Sequence, residues 1–258
     1  MDSLKVKTIN DFIKAGEKPE ILFWVGSAGS FDERAKKITR AFVKILNKAS
    51  INFAVLGEQE SSSGDAAKRA GNEFLFQMQA LMNIEILNSY DITNIVTTCP
   101  HSYNTLKNEY SDLGGIYNVT HHTEFISDLI KQGKLNLTTD FNYKKITYHD
   151  PCYLGRGNDI YESPRDLIAN LNIDFVEMPR NKQKSFCCGA GGAQMFKEAE
   201  NGKFEINIVR TEEALKTGAD VIATGCPFCN TMITDGVKNI SEGQAQVKDI
   251  AELIAECI

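Results

Sequence analysis

Two segments of the chain repeat one another: VTTCPHSYNTL at 96–106 and ATGCPFCNTM at 223–232. Cys99 aligns with Cys226, and Ser102 with Cys229, both at an offset of 127 residues. Ser61-Ser62-Ser63-Gly64 corresponds to Cys187-Cys188-Gly189 at an offset of 126, and Ser27 to Cys152 at 125. Four landmarks in one order with a nearly fixed offset mark an internal repeat, so the chain should build one structural unit twice. The polar stretch 132–143 (QGKLNLTTDFNY) is the expected junction, giving halves 1–135 and 136–258.

Each half alternates short apolar runs with helical periodicity. Strands are expected at 21–25, 53–56, 94–97 and 116–120, with helices over 31–47 and 66–89 and a further helix beginning at 104–110. The second half offers strands at 145–148, 174–177 and 220–223, with helices at 164–170 and 207–217. Alternation of this kind predicts an α/β fold: two pseudo-symmetric, Rossmann-like halves, each with a small parallel sheet. Ligands in such folds collect beyond the carboxyl ends of strands, where Ser27, Cys99, Cys152 and Cys226 all fall. A metal site at the face between the halves is therefore expected.

A net charge of −6 argues against nucleic acid as a partner, because phosphate binding requires a basic face. No apolar run approaches the roughly 20 residues that span a bilayer, and the first residues lack the core of a signal peptide. The expectation is a cytoplasmic chain that meets the inner membrane only peripherally, through a partner. Seven cysteines in such a compartment point to ligands or redox groups before disulfides.

Five of the seven follow the pattern C-x34-C-C-x37-C-x2-C, ending in Cys226-Pro-Phe-Cys229. A C-x2-C turn directs two thiolates at one centre. The adjacent Cys187 and Cys188 can share that centre only in a kinked loop, which the following Gly189-Ala190-Gly191-Gly192 permits. Those glycines would also let backbone N–H groups approach the sulfurs. Iron–sulfur binding accounts for all five cysteines; a structural zinc site accounts for four and leaves one over. Arg156, Lys182 and Lys184 either offset thiolate charge or are simply solvated, and Phe186, Phe196 and Phe228 read as core.

The runs HDPCYLGR, CCGAGG and CPFC resemble the cysteine-rich CCG domain, which occurs twice in one of the subunits of heterodisulfide reductase and in iron–sulfur subunits of lactate, glycolate and glycerol-3-phosphate oxidising complexes. The resemblance runs from about Ile21 to Ile254. It implies a 4Fe–4S cluster, of non-cubane type, on Cys152, Cys187, Cys188, Cys226 and Cys229. It further implies an electron-transfer subunit of an oxidoreductase, working between a ferredoxin-like iron–sulfur subunit or a flavoprotein subunit and a quinone or disulfide acceptor, with a quinone-linked membrane partner. The first half departs from the pattern: serine stands at 27, 62 and 102, and only Cys99 remains. Serine is a poor soft-metal ligand, so that site is expected to be empty or turned to another use.

Secondary candidates remain. His101, His121 and His122 with Cys99 could form a mixed nitrogen–sulfur site. His149 is expected to cap its turn or to face solvent, the alternative being a hydrogen bond to a cluster sulfur or a substrate. Cys257 is expected on a fraying helix end, without a role. The glycine-rich turns do not match a nucleotide-binding spacing.

Overall fold

The computed structural model describes residues 4–138, 143–198, 201–240 and 243–258, so residues 139–142 of the expected junction lie outside the described residues. The described strands form two wholly parallel sheets. The first contains β1 (Lys7–Thr8), β2 (Ile21–Trp24), β3 (Phe53–Val55), β4 (Asn94–Thr97) and β5 (Asn118–His121), in the order β1-β3-β2-β4-β5. The second contains β6 (Lys145–Tyr148), β7 (Asp174–Phe175), β8 (Val221–Thr224) and β9 (Gln246–Asp249), in the order β7-β6-β8-β9. With the edge strand β1 set aside, the two orders coincide. The repeat seen in the sequence is thus a repeat of topology, and the α/β expectation stands. Central strands β2 and β8 are buried at every position, which is why they read as continuous apolar runs.

Local chemistry explains where the elements differ from expectation. The single helix expected over 66–89 is two, Asp65–Arg69 and Glu73–Ser89. Gly71 takes φ +84° between them, and Asn72 caps the second by accepting from the Leu75 N–H at 3.1 Å. Helix Glu33–Lys48 begins where Asp32 accepts from the Ala35 N–H (2.7 Å), and it buries Ile38, Phe42, Ile45 and Leu46. The strand expected at 174–177 keeps only Asp174–Phe175. Strand β9 carries a single strongly apolar residue, Val247, and gave no apolar run to detect. Cys257 does not fray: it is 1% exposed, and its carbonyl accepts from the N–H and hydroxyl of Thr138 at 2.7 and 2.8 Å.

The halves share one core. Phe23, Phe42, Leu46 and Val96 of the first pack in the same cluster as Ile146, Tyr148, Val221, Ile250 and Ile254 of the second. Arg34 reinforces the contact with a bidentate pair to Glu252 (2.9 and 2.7 Å) and a bond to the Val247 carbonyl (2.7 Å). A polar chain also crosses between the sheets. His122 Nε2 donates to Asp249 Oδ1 at 2.8 Å, with both side chains fully buried. Its Nδ1 then accepts from His121 Nε2 at 3.2 Å, and His121 Nδ1 faces the Thr123 hydroxyl at 2.8 Å. Burial and the neighbouring His122 hold His121 well below the usual imidazole range.

One carboxylate shapes the turn after β2. Glu60 accepts from the Val25 and Gly26 N–H groups at 3.0 and 2.5 Å. Burial nevertheless pushes it up to about 7 from the ordinary value of 4.5. Its contribution to stability is therefore fully present below about pH 4.5 and is lost as the pH rises through about 7. Between those limits the parent should lose stability with rising pH and Glu60→Gln should lose less, as read by chemical denaturation. Identical pH slopes would remove Glu60 from this account. Replacing His122 by Ala leaves the Asp249 carboxylate buried without its imidazole and should cost about 2–3 kcal/mol in the same assay; a loss under about 0.5 kcal/mol would show the crossing to be dispensable.

Candidate metal centre

The thiols gather because strands β6 and β8 are hydrogen-bonded neighbours running the same way. Their carboxyl ends carry Cys152 and Cys226, respectively, to one edge of the sheet. Cys226 precedes the helix Pro227–Ile240, whose first turn contains Cys229. Asn230 ties that turn back to β8 by donating to Thr224 Oγ1 at 3.0 Å. The Cys152 turn is held by buried Asp150, which receives Arg165 at 2.8 and 2.9 Å and the Lys182 N–H at 2.8 Å. Ser185 Oγ donates to the Asp150 carbonyl at 3.0 Å, and this brings the Cys187-Cys188 loop alongside. Gly189 has φ +93°, and its N–H donates to Cys187 Sγ at 3.3 Å, as the glycine-rich loop led one to expect.

The five thiols are neighbours that shift one another's titration: Cys152 with Cys187, Cys187 with Cys188, Cys188 with Cys229, and Cys229 with Cys226. Hydrogen bonds from Cys152 and Cys188 hold Cys187 far below the usual thiol range. Burial opposes charge on Cys226, yet hydrogen bonds from Cys229 and His101 outweigh it and bring the thiol down to about 5. Cys152, Cys188 and Cys229 are pushed up by their sulfur neighbours and by burial.

Among the described residues, one group of three metal-capable side chains has its ligand atoms within 4.8 Å of one another: His149, Cys188 and Cys229. His149 does not face solvent, being 1% exposed, and it caps no turn, since its Nδ1 is taken by Arg210 and its Nε2 has no protein partner. The fully buried Arg210 donates from Nε to His149 Nδ1 at 2.9 Å. That leaves the imidazole proton on Nε2, a buried atom without a protein partner. The ring therefore offers an unused N–H, and its side chain is grouped with those of Cys188 and Cys229. Arg210 escaped the sequence reading; its signal is an arginine on the buried face of helix Ile206–Leu215, alongside Asn207 and Ala214. The cations singled out from sequence have partners other than the sulfurs or face solvent. Lys182 pairs with Glu162 at 2.7 Å, Lys184 is exposed, and Arg156 bonds the Ser185 carbonyl. Phe196 is not core: it is 64% exposed, 6.1 Å from the half-buried Phe228.

In the first half, Ser27, Ser62, Cys99 and Ser102 line one cavity of about 60 Å³. Ser62 Oγ is engaged locally, accepting from the Gly64 N–H at 3.2 Å. The mixed histidine site does not form: His121 and His122 join Asp249, while His101 Nδ1 bonds Asp65 Oδ2 at 2.8 Å and its ring also meets Cys226. Burial disfavours the His101 cation, but Asp65 and Cys226 outweigh it and push the imidazole up to about 9.

Comparison with known proteins agrees with this geometry. The chain is 45% identical over 256 residues to the "Probable iron-sulfur-binding oxidoreductase FadF" of Bacillus subtilis, covering 98% of this chain and 36% of that protein. It is 41% identical over 253 residues to the "EtfAB:quinone oxidoreductase" of Syntrophomonas wolfei, covering 95% and 35%. It is 32% identical over 257 residues to one of the subunits of the dihydromethanophenazine:CoB–CoM heterodisulfide reductase of Methanosarcina barkeri, covering 95% and 61%. The chain thus spans about a third of the length of the first two relatives. Residues 21–107 and 146–234 each match the cysteine-rich domain, so the chain belongs to the CCG cysteine-rich domain family and carries two copies of it.

Proposed function

We propose that this chain is an iron–sulfur electron-transfer module in which residues 136–258 hold one 4Fe–4S cluster on Cys152, Cys187, Cys188, Cys226 and Cys229, while residues 1–135 retain the fold without the ligands. The observation that carries this reading is the gathering of five thiols at the ends of the paired strands β6 and β8, with Cys188 and Cys229 grouped with the buried His149, whose Nε2–H has no protein partner. Zinc would use four thiolates and has no need of a fifth sulfur or an N–H donor. An iron–sulfur cluster uses thiolates as ligands and N–H groups as donors to its sulfurs. Once bound, such a cluster takes up and releases single electrons. The protein's part is to exclude water with Met178 and Ile233, which pack with Cys188, Cys226 and Cys229, to aim the Gly189 and His149 N–H groups at sulfur, and to keep the Arg210 charge behind the imidazole.

The relatives' names support a place in a redox complex, where electrons would pass between a ferredoxin-like or flavoprotein partner and a quinone or disulfide acceptor. No described helix is long and apolar enough to cross a membrane, whereas one relative is named a "Probable membrane-anchored ferredoxin". Any quinone-linked membrane contact of this chain is therefore assigned to a partner or to additional polypeptide.

Anaerobic purification with iron, sulfide and zinc counted per chain tests the reading. A brown protein holding about four irons is expected; a colourless protein holding one zinc would overturn it in favour of a zinc-stapled scaffold. Cys188→Ser should lose most of the iron, whereas Cys99→Ser should keep it. Filling the site must also expel the protons held by Cys152, Cys188 and Cys229. Reconstitution of the apoprotein should therefore retain more iron near pH 9 than near pH 7, and equal retention would count against deprotonation of these thiols on loading.

A further inference from the structure

We propose that the outer face of helix Glu73–Ser89 is a docking surface for an amphipathic helix of a partner protein, one that brings lysine or arginine to an apolar stripe. The surface stands independently of what the cysteines hold. The helix meets the core with Phe76, Ala80, Ile84 and Leu87, which recur at helical spacing on one side. That side alone satisfies the fold. Phe74, Leu75, Met78, Leu81 and Met82 lie on the opposite side, yet they are between 40% and 77% exposed. A helix that is apolar all round belongs in an interior, where every side finds a partner. Together the five side chains leave on the order of 500 Å² of apolar surface in one stripe, a size that is often functional on a soluble protein.

Charge decides what fits there. Glu85 continues the row of Phe74, Met78 and Leu81, and Glu73 stands at its start; both are exposed. The helix carries no lysine or arginine. Lys68 and Arg69, the cations just before it, are taken up by Glu109 at 3.4 Å and Asp65 at 3.1 Å. Glu73 receives Gln77 Nε2 at 3.0 Å, and neither Glu73 nor Glu85 has a cation partner among the described residues. A second copy of this chain would set Glu85 against Glu85 in a parallel pairing, and against Glu73 or on the Phe74 ring in an antiparallel one. An anionic lipid surface attracts lysine and arginine, which this face lacks, and repels its two carboxylates. A helix with basic residues flanking an apolar stripe meets both requirements. Its apolar side chains cover Phe74, Met78 and Met82, and its cations pair with Glu73 and Glu85 at the rim, where charge sets register and encounter rate.

The test uses the full chain and a synthetic amphipathic helix with leucine along its stripe and lysine on either side, read by calorimetry. Saturable binding is expected. It should weaken about tenfold in Met78→Lys and in Leu81→Gln, the loss typical of truncating a central contact. Both positions face solvent, so both variants should fold as the parent does. Exchanging the peptide's lysines for glutamate should weaken binding to the parent as well. Absence of binding, equal binding of the two peptides, or binding untouched by both substitutions would overturn the proposal. A parent dimer seen by sedimentation and dispersed by Met78→Lys would overturn it in favour of a second copy. Binding to phosphatidylglycerol vesicles that is lost in the same variant would overturn it in favour of a lipid surface.

Discussion

Parallel pairing of β6 with β8 is the constraint on which the rest of the molecule depends. Parallel neighbours end at the same edge, so two turns far apart in sequence open side by side. A thiol placed after each strand is then close to its counterpart before any loop chemistry is considered. The Cys187-Cys188 loop joins them because Asp150 draws both the Lys182 backbone and Ser185 toward the Cys152 turn. Were the two strands antiparallel, their carboxyl ends would lie at opposite edges and no loop of ordinary length would reunite the sulfurs.

Much of this was legible in the chain itself. The α/β alternation and the duplicated topology follow from periodicity and spacing, which also set the five cysteines of the second half apart as a group. What escaped were partnerships between residues distant in sequence. His122 and Asp249 are 127 residues apart, and His149 and Arg210 are 61 apart. No local pattern distinguishes a histidine that will be buried against such a partner from one that will face water. The misreading of His149 and of Phe196 has this origin: in a loop, apolar or polar character alone does not say which side of the chain the fold will cover. Breaks inside elements were missed for a different reason, since Gly71 interrupts a helix only when its backbone adopts the left-handed region.

The two halves show how ligand chemistry and fold can separate. The first half keeps the strand order, the cavity at the strand ends and the proline-stiffened turn after Cys99, yet hydroxyls stand where thiols would be. Its turns are held by ordinary protein contacts: Glu60 on the backbone at Val25 and Gly26, and Asn83 on the Ser62 carbonyl at 2.9 Å. Such contacts do for the backbone what a metal would otherwise do, so loss of the ligands does not entail loss of the turn.

The common core of Phe42, Ile146 and Ile254 has a mechanical meaning as well. Two lobes joined by a flexible tether could each melt alone, and whatever filled one lobe would steady that lobe only. Here helix Glu33–Lys48 is packed into the other sheet's surroundings, so the halves rise and fall in stability together. Anything bound by the cysteines acts as a ligand on a single folding equilibrium and braces the serine-bearing half as much as its own.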